Sequence, residues 1–411
     1  MKFHSIRIQN YKSINDITLY LSDVNLLIGP NNSGKSNILS ALKLFSDYVY
    51  YLNENEYPIG SEFNKGFSVI EGEDASLLSI CFRVVFIKEE FYYVWDIFLY
   101  PNTNNNRLDF DIRHLFSIGR SIIPSEMEMM EKSEYLEVDG LFIGESKDLL
   151  IKSGQSYLIN KSVTIYSKSN QDFTSSVLAF RVFISREFSP SSIYSIQVEK
   201  LKAPARLTAN EESVLPDGSN LVSFIDSMRD TNPKIIREIE KDLFRFTKEF
   251  ESIRLIKVTG DSTTEATFKK LGLADKDDNT FWSDQLSEGV LYFLALLAII
   301  HQPNPPHLLM LEEPEKGIHP RRIKEIIELI FQIAKDKGIR VILTTHSPYV
   351  VDEFADVPEG VHIIDKVDKA TQVKNLKRDF IDKEADKEDK IDYTSSLGEH
   401  WAIGFLGGVP E

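Results

Sequence analysis

Residues 29–36 read Gly-Pro-Asn-Asn-Ser-Gly-Lys-Ser and fit the pattern G-x-x-x-x-G-K-[ST]. A structural turn would use Gly and Asn for positive backbone angles, but would not also require Gly34, Lys35 and Ser36 in fixed register. An anion would. Backbone N–H groups of such a loop and of the helix after it present fixed positive dipoles to phosphate oxygens. Lys35 is placed to neutralise β- and γ-phosphates, and the Ser36 hydroxyl to coordinate Mg²⁺. The expected nucleotide contacts are Gly29, Pro30, Asn31, Asn32, Ser33, Gly34, Lys35, Ser36 and Asn37.

The elements that must position this loop are legible on both sides. Leu21 to Ile28 reads as a buried strand. Asn37 to Phe45 reads as a helix with Ile38, Leu39, Ala41, Leu42 and Phe45 on its apolar face.

Three further stretches carry chemistry far downstream. In "QLSEGVLYFLALLAII" (285–300), Ser287, Glu288 and Gly289 open a helix that is apolar all round and therefore buried. Alone, Ser287 reads equally well as a helix N-cap. In "HLLMLEEPEKGIHP" (307–320), an apolar strand ends in two carboxylates. Glu312 is suited to hold Mg²⁺, directly or through water, and Glu313 to accept a proton from an attacking water. Two acids after a strand can also be a plain strand exit. In "VILTTHSPYVV" (341–351), another buried strand delivers His346, which alone could be structural. Their order changes the balance: Lys35, Glu313 and His346 each directly follow an apolar strand, and parallel α/β sheets bind ligands at the carboxyl ends of strands.

The set "GPNNSGKS", "LSEG", "LLMLEEPEKGIHP" and "LTTHSP" resembles the ABC-type ATPase heads of the SMC and OLD-like superfamily. The segments "IRIQNYKSI", "LPDGSNLVSFI" and "LGEHWAIGFLGGVP" extend the likeness along nearly the whole chain, toward stand-alone bacterial AAA-family ATPases of this kind. The resemblance implies an α/β P-loop fold: a mostly parallel core sheet flanked by helices, an antiparallel β lobe and a helical subdomain. It implies one composite head over 1–411, with a nucleotide core of 1–50 and 261–411, a β-rich elaboration over 51–186 and a helical part over 187–260. Gly29, Gly34, Lys35 and Ser36 match the Walker A loop, and Glu312 and Glu313 the Walker B acids. Ser287 and Gly289, with Glu288 between them, match the signature that reaches the γ-phosphate of an opposite subunit. His346 matches the switch histidine, and Lys316 to Pro320 the loop exchanged between subunits.

The implied activity is ATP hydrolysis with ATP and Mg²⁺, in a homodimer or larger even-numbered assembly. A separate effector protein, a nuclease among the options, is implied for DNA transactions or anti-phage defence. Two alternatives stand beside it: an ATP-bound scaffold with negligible turnover, and a transporter motor. Against the motor, the Walker B acids are Glu-Glu, no glutamine occurs between Gln9 and Gln155 to serve as a Q-loop, and the signature reads Leu-Ser-Glu-Gly followed by Val290, unlike the Leu-Ser-Gly-Gly-Gln of transporters. About 65 residues follow His346, where larger OLD nucleases append a Toprim domain, so nuclease activity within this chain is not expected.

The 411 residues suggest two or three domain-sized units, and 42% hydrophobic residues suffice for a large core. Cys81 is the only cysteine, the N-terminus alternates like a strand, and no apolar run reaches the ~18–20 residues of a membrane span. These features lead to an expectation of a soluble cytoplasmic protein without membrane partners. The net charge of −16 argues against tight non-specific nucleic-acid binding by the whole surface. A local stripe remains: in "TNPKIIREIEKDLFRFTKEF" (231–250), Asn232 and Pro233 open a helix. Ile236, Ile239, Leu243, Phe246 and Phe250 are read onto one face. Lys234, Arg237, Lys241, Arg245 and Lys248 lie opposite, as a solvated face or a contact for DNA or an acidic partner.

Overall fold

The computed structural model describes residues 2–54, 80–88, 91–102, 109–120, 183–184, 186–188, 191–208, 210–258, 268–316, 318–384 and 392–408. They form two compact units, Met1–Ser189 with Asp356–Glu411, and Pro190–Ala355. Much of the β-rich stretch expected over 51–186 lies outside the described residues, as does position 317.

In the first unit, β1 (Lys2–Tyr11), β2 (Ile14–Leu19), β4 (Ile80–Lys88), β5 (Phe91–Asn102) and β6 (Asp109–Arg120) make an antiparallel sheet in the order β2-β1-β4-β5-β6. The β4–β5 register sets Arg83 opposite Asp96, and their side chains meet in a buried, two-pronged ion pair at 2.6 and 3.0 Å. A one-residue slip would strand both charges, so the pair locks the register. Strand β3 (Val24–Ile28) is buried at every position and is flanked on one side by the β14 (Val361–Val367) and β15 (Ala370–Asn375) hairpin. β14 runs parallel to β3, with Val361, His362 and Ile363 facing Leu26, Leu27 and Ile28.

Helix α1 (Lys35–Glu54) starts inside the phosphate motif, two residues before the predicted start, and runs beyond Phe45. Its predicted apolar face is fully buried: Ile38, Leu39, Ala41, Leu42 and Phe45 expose nothing. Phe45 meets Phe82 at 5.5 Å and Phe188 at 5.1 Å between ring centroids, and such a buried ring contributes roughly 1.5–3 kcal/mol. The lone Cys81 is buried, which pushes its thiol up to about 12 and leaves it inert.

In the second unit, parallel strands run β13 (Arg340–Thr345), β12 (Leu308–Glu312), β7 (Ser191–Tyr194). A second sheet is antiparallel, with β10 (Phe268–Asp275) between β9 (Phe250–Val258) and the short β8 (Ala205–Arg206) and β11 (Thr280–Trp282). Helices α2 (Leu221–Thr231) and α3 (Pro233–Thr247) lie between β8 and β9 in the chain. Helix α3 buries Ile236, Ile239 and Leu243, as the periodicity predicts. Phe250 does not belong to it: Lys248 turns left-handed (φ 57°), ends the helix, and Phe250 opens β9. Asn232 sits at the N-cap, but its side chain makes no capping bond. Helix α4 (Glu288–His301) is buried on nearly every side, as read from its sequence. Helix α5 (Pro320–Lys337) links β12 to β13 and ends on Gly338 in the left-handed conformation, the favoured glycine stop. Among the described residues, no helix is long and apolar enough to cross a membrane.

Candidate active site

The phosphate loop leaves β3 at Ile28 and enters α1 at Lys35. Gly29 (φ 158°) must be glycine for reasons of space, because a Cβ would stand 2.2 Å from the Ile364 carbonyl oxygen. Gly34 (φ 114°) is in a conformation that side-chain-bearing residues rarely adopt. Asn32 also turns left-handed, at φ 65°, a role for which asparagine is well suited. Lys35 is 7% exposed, and its ammonium donates to the carbonyl oxygens of Gly29 (2.7 Å) and Pro30 (2.9 Å). The lysine thus folds back over the loop, curling it around its own charge. Asn31, Asn32 and Ser36 are exposed at the mouth, Asn37 is half-buried, and Ser33 is buried with its hydroxyl oxygen lacking a partner. The first turn of α1 carries no acid that would compete with an anion for the positive helix end.

These features fit a nucleotide phosphate. Two glycines clear a cradle, and a lysine, a helix start and an unpartnered buried hydroxyl line it. The oxygens of Ser36 and Glu312 are hard donors of the kind that Mg²⁺ takes.

In the second unit, parallel pairing aligns two strand exits. Glu312 faces Thr344 in the β12–β13 register, so Glu313 and His346 emerge just beyond the paired ends. His346 Nε2 lies 3.7 Å from Glu313 Oε1, close enough to feel its charge and too long for a hydrogen bond. Both side chains are partly open to solvent. Glu313 adopts a left-handed φ of 45°, rare for such a residue and a mark of local strain, while its amide donates to the Thr344 carbonyl at 3.0 Å. Ser287 is the N-cap of α4, its hydroxyl accepting from the Val290 amide at 3.4 Å. Glu288 pairs with Lys202 at 2.7 Å, and Gly289 is buried in the helix's first turn. After the Walker-type acids, His319 caps α5 through Nδ1, and Pro320 takes the first helical position.

One residue here has no counterpart in the sequence reading. Glu315 Oε1 accepts from the Thr345 hydroxyl at 2.5 Å and from the His346 amide at 3.3 Å, tying the β12 exit to the β13 exit. Its Oε2 is buried without a partner, and burial raises the carboxyl above its ordinary range. The available signal was a third acid in "EEPE", three residues after Glu312, just before the helix start.

Lys234, Arg237, Lys241 and Arg245 on α3, and Lys248 at its C-cap, are all exposed. The stripe is diluted at two points: Lys241 lies 4.0 Å from Glu238, and Arg245 pairs with Asp336 at 3.3 Å and stacks over Phe246. Among the described residues, no group of three or more His, Cys, Asp or Glu side chains could hold a metal ion.

Comparison with known proteins follows this geometry. A Helicobacter pylori protein named ATP/GTP phosphatase is 21% identical over 384 residues, covering 87% of each chain. The methionine import ATP-binding protein MetN 2 of Enterococcus faecalis is 28% identical over 135 residues, 31% of this chain and 37% of that one. Among solved structures, the SMC head domain from Thermotoga maritima aligns over 92% of this chain and 99% of its own, at 13% identity and a TM-score of 0.44. An SMC head bound to the C-terminal winged-helix domain of ScpA gives 14% identity and 0.47, over 91% and 98%. The family described as "AAA domain, putative AbiEii toxin, Type IV TA system" matches residues 24–121 and 134–352, and the chain belongs to this family of AAA/ABC-type ATPases.

Proposed function

We propose that the chain is one composite, cytoplasmic ATPase head that works as a switch, assembling head-to-tail with a second copy around Mg-ATP. The observation that carries the catalytic half of this reading is the Glu313–His346 pair, held 3.7 Å apart at the exits of two register-locked strands. In this reading, residues 29–37 bind the nucleotide, and Lys35 neutralises its β- and γ-phosphates. Glu313 orients a water and accepts its proton while the water oxygen bonds to the γ-phosphorus and the bond to the ADP oxygen breaks. His346 donates to the γ-phosphate oxygen and holds it in line. Ser36 and Glu312 would hold Mg²⁺, which when bound spreads the charge developing on the phosphates. Ser287 and Gly289, at the positive start of α4, meet the γ-phosphate held by the partner copy, so that ATP joins two heads and hydrolysis releases them.

The output is a DNA transaction or anti-phage defence carried out by a separate effector protein, a nuclease in the simplest case, with the basic face of α3 as the DNA contact. Reversing Lys241 and Arg245 to Glu then weakens salt-sensitive DNA binding.

The test is Glu313→Gln, assayed for turnover and, by native mass spectrometry, for assembly in Mg-ATP against Mg-ADP. Turnover should fall by about 10² to 10⁴ while an ATP-dependent, even-numbered assembly persists. Turnover at the wild-type rate would remove Glu313 from its role. A mass that ignores the nucleotide would remove the trans role of Ser287.

A further inference from the structure

The phosphate loop is not supported by its own strand and helix alone. Thr371, on β15, is fully buried, and its Oγ1 donates to the carbonyl oxygen of Ser33 at 3.1 Å. The same oxygen lies 2.7 Å from Ser13 Oγ in the β1–β2 turn, and Asn37 Nδ2 donates to Ser13 Oγ at 2.7 Å. Proton counting fixes the direction. A hydroxyl has one proton, and that of Thr371 goes to Ser33, so Ser13 must donate to Thr371 and accept from Asn37. The result is a one-way relay, Asn37 to Ser13 to Thr371 to the Ser33 carbonyl, that joins the first turn of α1 to the loop preceding it. The backbone repeats the tie, since the Thr371 amide donates to the Ser13 carbonyl at 2.7 Å.

Sterics point the same way. A Cβ on Gly34 would stand 2.1 Å from Thr371 Oγ1, so the threonine occupies the space against which the loop's second glycine turns. At the first glycine, the chain after helix α6 (Leu397–Ala402) takes the corresponding place. Gly408 is buried at φ 68°, anchored by the Trp401 indole donating to its carbonyl at 3.0 Å. A Cβ on Gly408 would come within 2.7 Å of Ile363 Cγ2 and 3.6 Å of the Gly29 Cα.

We propose that Thr371, held by Ser13 and Asn37 and assisted by Gly408 over Gly29, is a positioning residue for nucleotide binding: the C-terminal part of the chain sets the shape of the phosphate loop. Thr371 touches no substrate in this account. It fixes the Ser33 carbonyl and thereby the direction of the loop's N–H groups. The inference rests on the reading of residues 29–37 as the nucleotide site.

The experiment is ATP titration by calorimetry on the full chain, for wild type, Thr371→Val, Thr371→Ser and Lys35→Ala, with turnover at saturating ATP alongside. Thr371→Val keeps the shape and removes the hydroxyl. It should weaken ATP binding by about tenfold, the worth of one or two hydrogen bonds, with kcat at saturation nearly unchanged. Thr371→Ser should bind close to wild type, and Lys35→Ala should lose binding. A merely structural threonine would lower the melting temperature and the fraction of competent sites without altering the affinity of those that remain. If Thr371→Val does not fold, Ser13→Ala cuts the relay one step earlier without touching β15 and is expected to weaken binding by a few-fold. Wild-type affinity in whichever of the two folds overturns the positioning role alone. Absence of ATP binding by the wild type overturns the site reading and this inference together.

Discussion

The phosphate loop and the strand-exit pair are built on opposite plans. Around the loop, Lys35 is buried and engaged by two carbonyl groups, and every turn that needs a glycine has one. At the strand exits, Glu313 is held in a strained left-handed turn, 3.7 Å from a half-exposed His346, and the nearby Glu315 has a buried oxygen with no partner. Each region keeps one buried oxygen without a partner, Ser33 Oγ and Glu315 Oε2; the difference is that the charge of the loop is already engaged, whereas Glu313 and His346 stand too far apart to bond each other. In the proposed reading, this difference corresponds to a division of labour, with phosphate held by the loop and the reacting water oriented at the strand exits.

The sharpest way to break the comparison is Lys35→Ala. Removing the one buried cation of the loop should raise the ATP dissociation constant by about 10² or more, since a charge-assisted contact to phosphate is lost along with the curl it imposes on the Gly29 and Pro30 carbonyls. Calorimetry reads this directly. An unchanged affinity would mean that the cradle's N–H groups alone bind the phosphate, and the asymmetry between the two regions would lose its meaning.

A second test uses pH. His362, on β14 beside β3, is fully buried, and burial pulls its imidazole down to about 4 against a weaker upward pull from Asp379. Its folded value lies below the unfolded value, so between the ordinary histidine range and about 4 the unfolded chain binds more protons. Stability is therefore present above the ordinary range and lost as pH falls toward 4, by up to about 3 kcal/mol. Unfolding of the unit that carries the loop should be acid-sensitive, and His362→Asn should flatten that dependence while lowering stability at neutral pH little or not at all. Chemical denaturation at pH 7.5 and 5 would show it. A slope unaffected by the substitution would place the acid sensitivity elsewhere.

The two regions also differ in how far they could be read from residues alone. The loop is legible because four residues at fixed spacing sit between an apolar run and a helical period, and all of that information is local. Helix ends were less so. The motif's Lys35 and Ser36 proved to be the first turn of α1, and Phe250 continued the apparent period of α3 although Lys248 had already turned the chain out of helix. Backbone angle at one residue leaves no period to detect. Glu315 stood in a quoted motif with no assigned role, because one acid in a turn reads as solvated until strand register brings Thr345 and His346 to it. Thr371 was the least visible: its partner Ser33 lies 338 positions away, and nothing around "DKATQVKN" marks it.

Glu315 then offers the smallest and most discriminating test of the strand-exit region. Its Oε1 binds the backbone amide of His346 and the hydroxyl of Thr345, so it sets where the histidine leaves β13 without itself facing a phosphate. Glu315→Ala leaves that amide and hydroxyl unpaired in a largely buried place, and His346 should become less well aimed. The expected effect is a fall in kcat of about tenfold, the worth of one or two such bonds, with ATP affinity unchanged because the loop is untouched. Glu315→Gln keeps an acceptor oxygen in the same position, so it should retain most of the rate. A kcat at the wild-type level in Glu315→Ala would mean that register alone positions His346. A parallel loss in Glu315→Gln would mean instead that the charge of Glu315, rather than its geometry, is what the site uses.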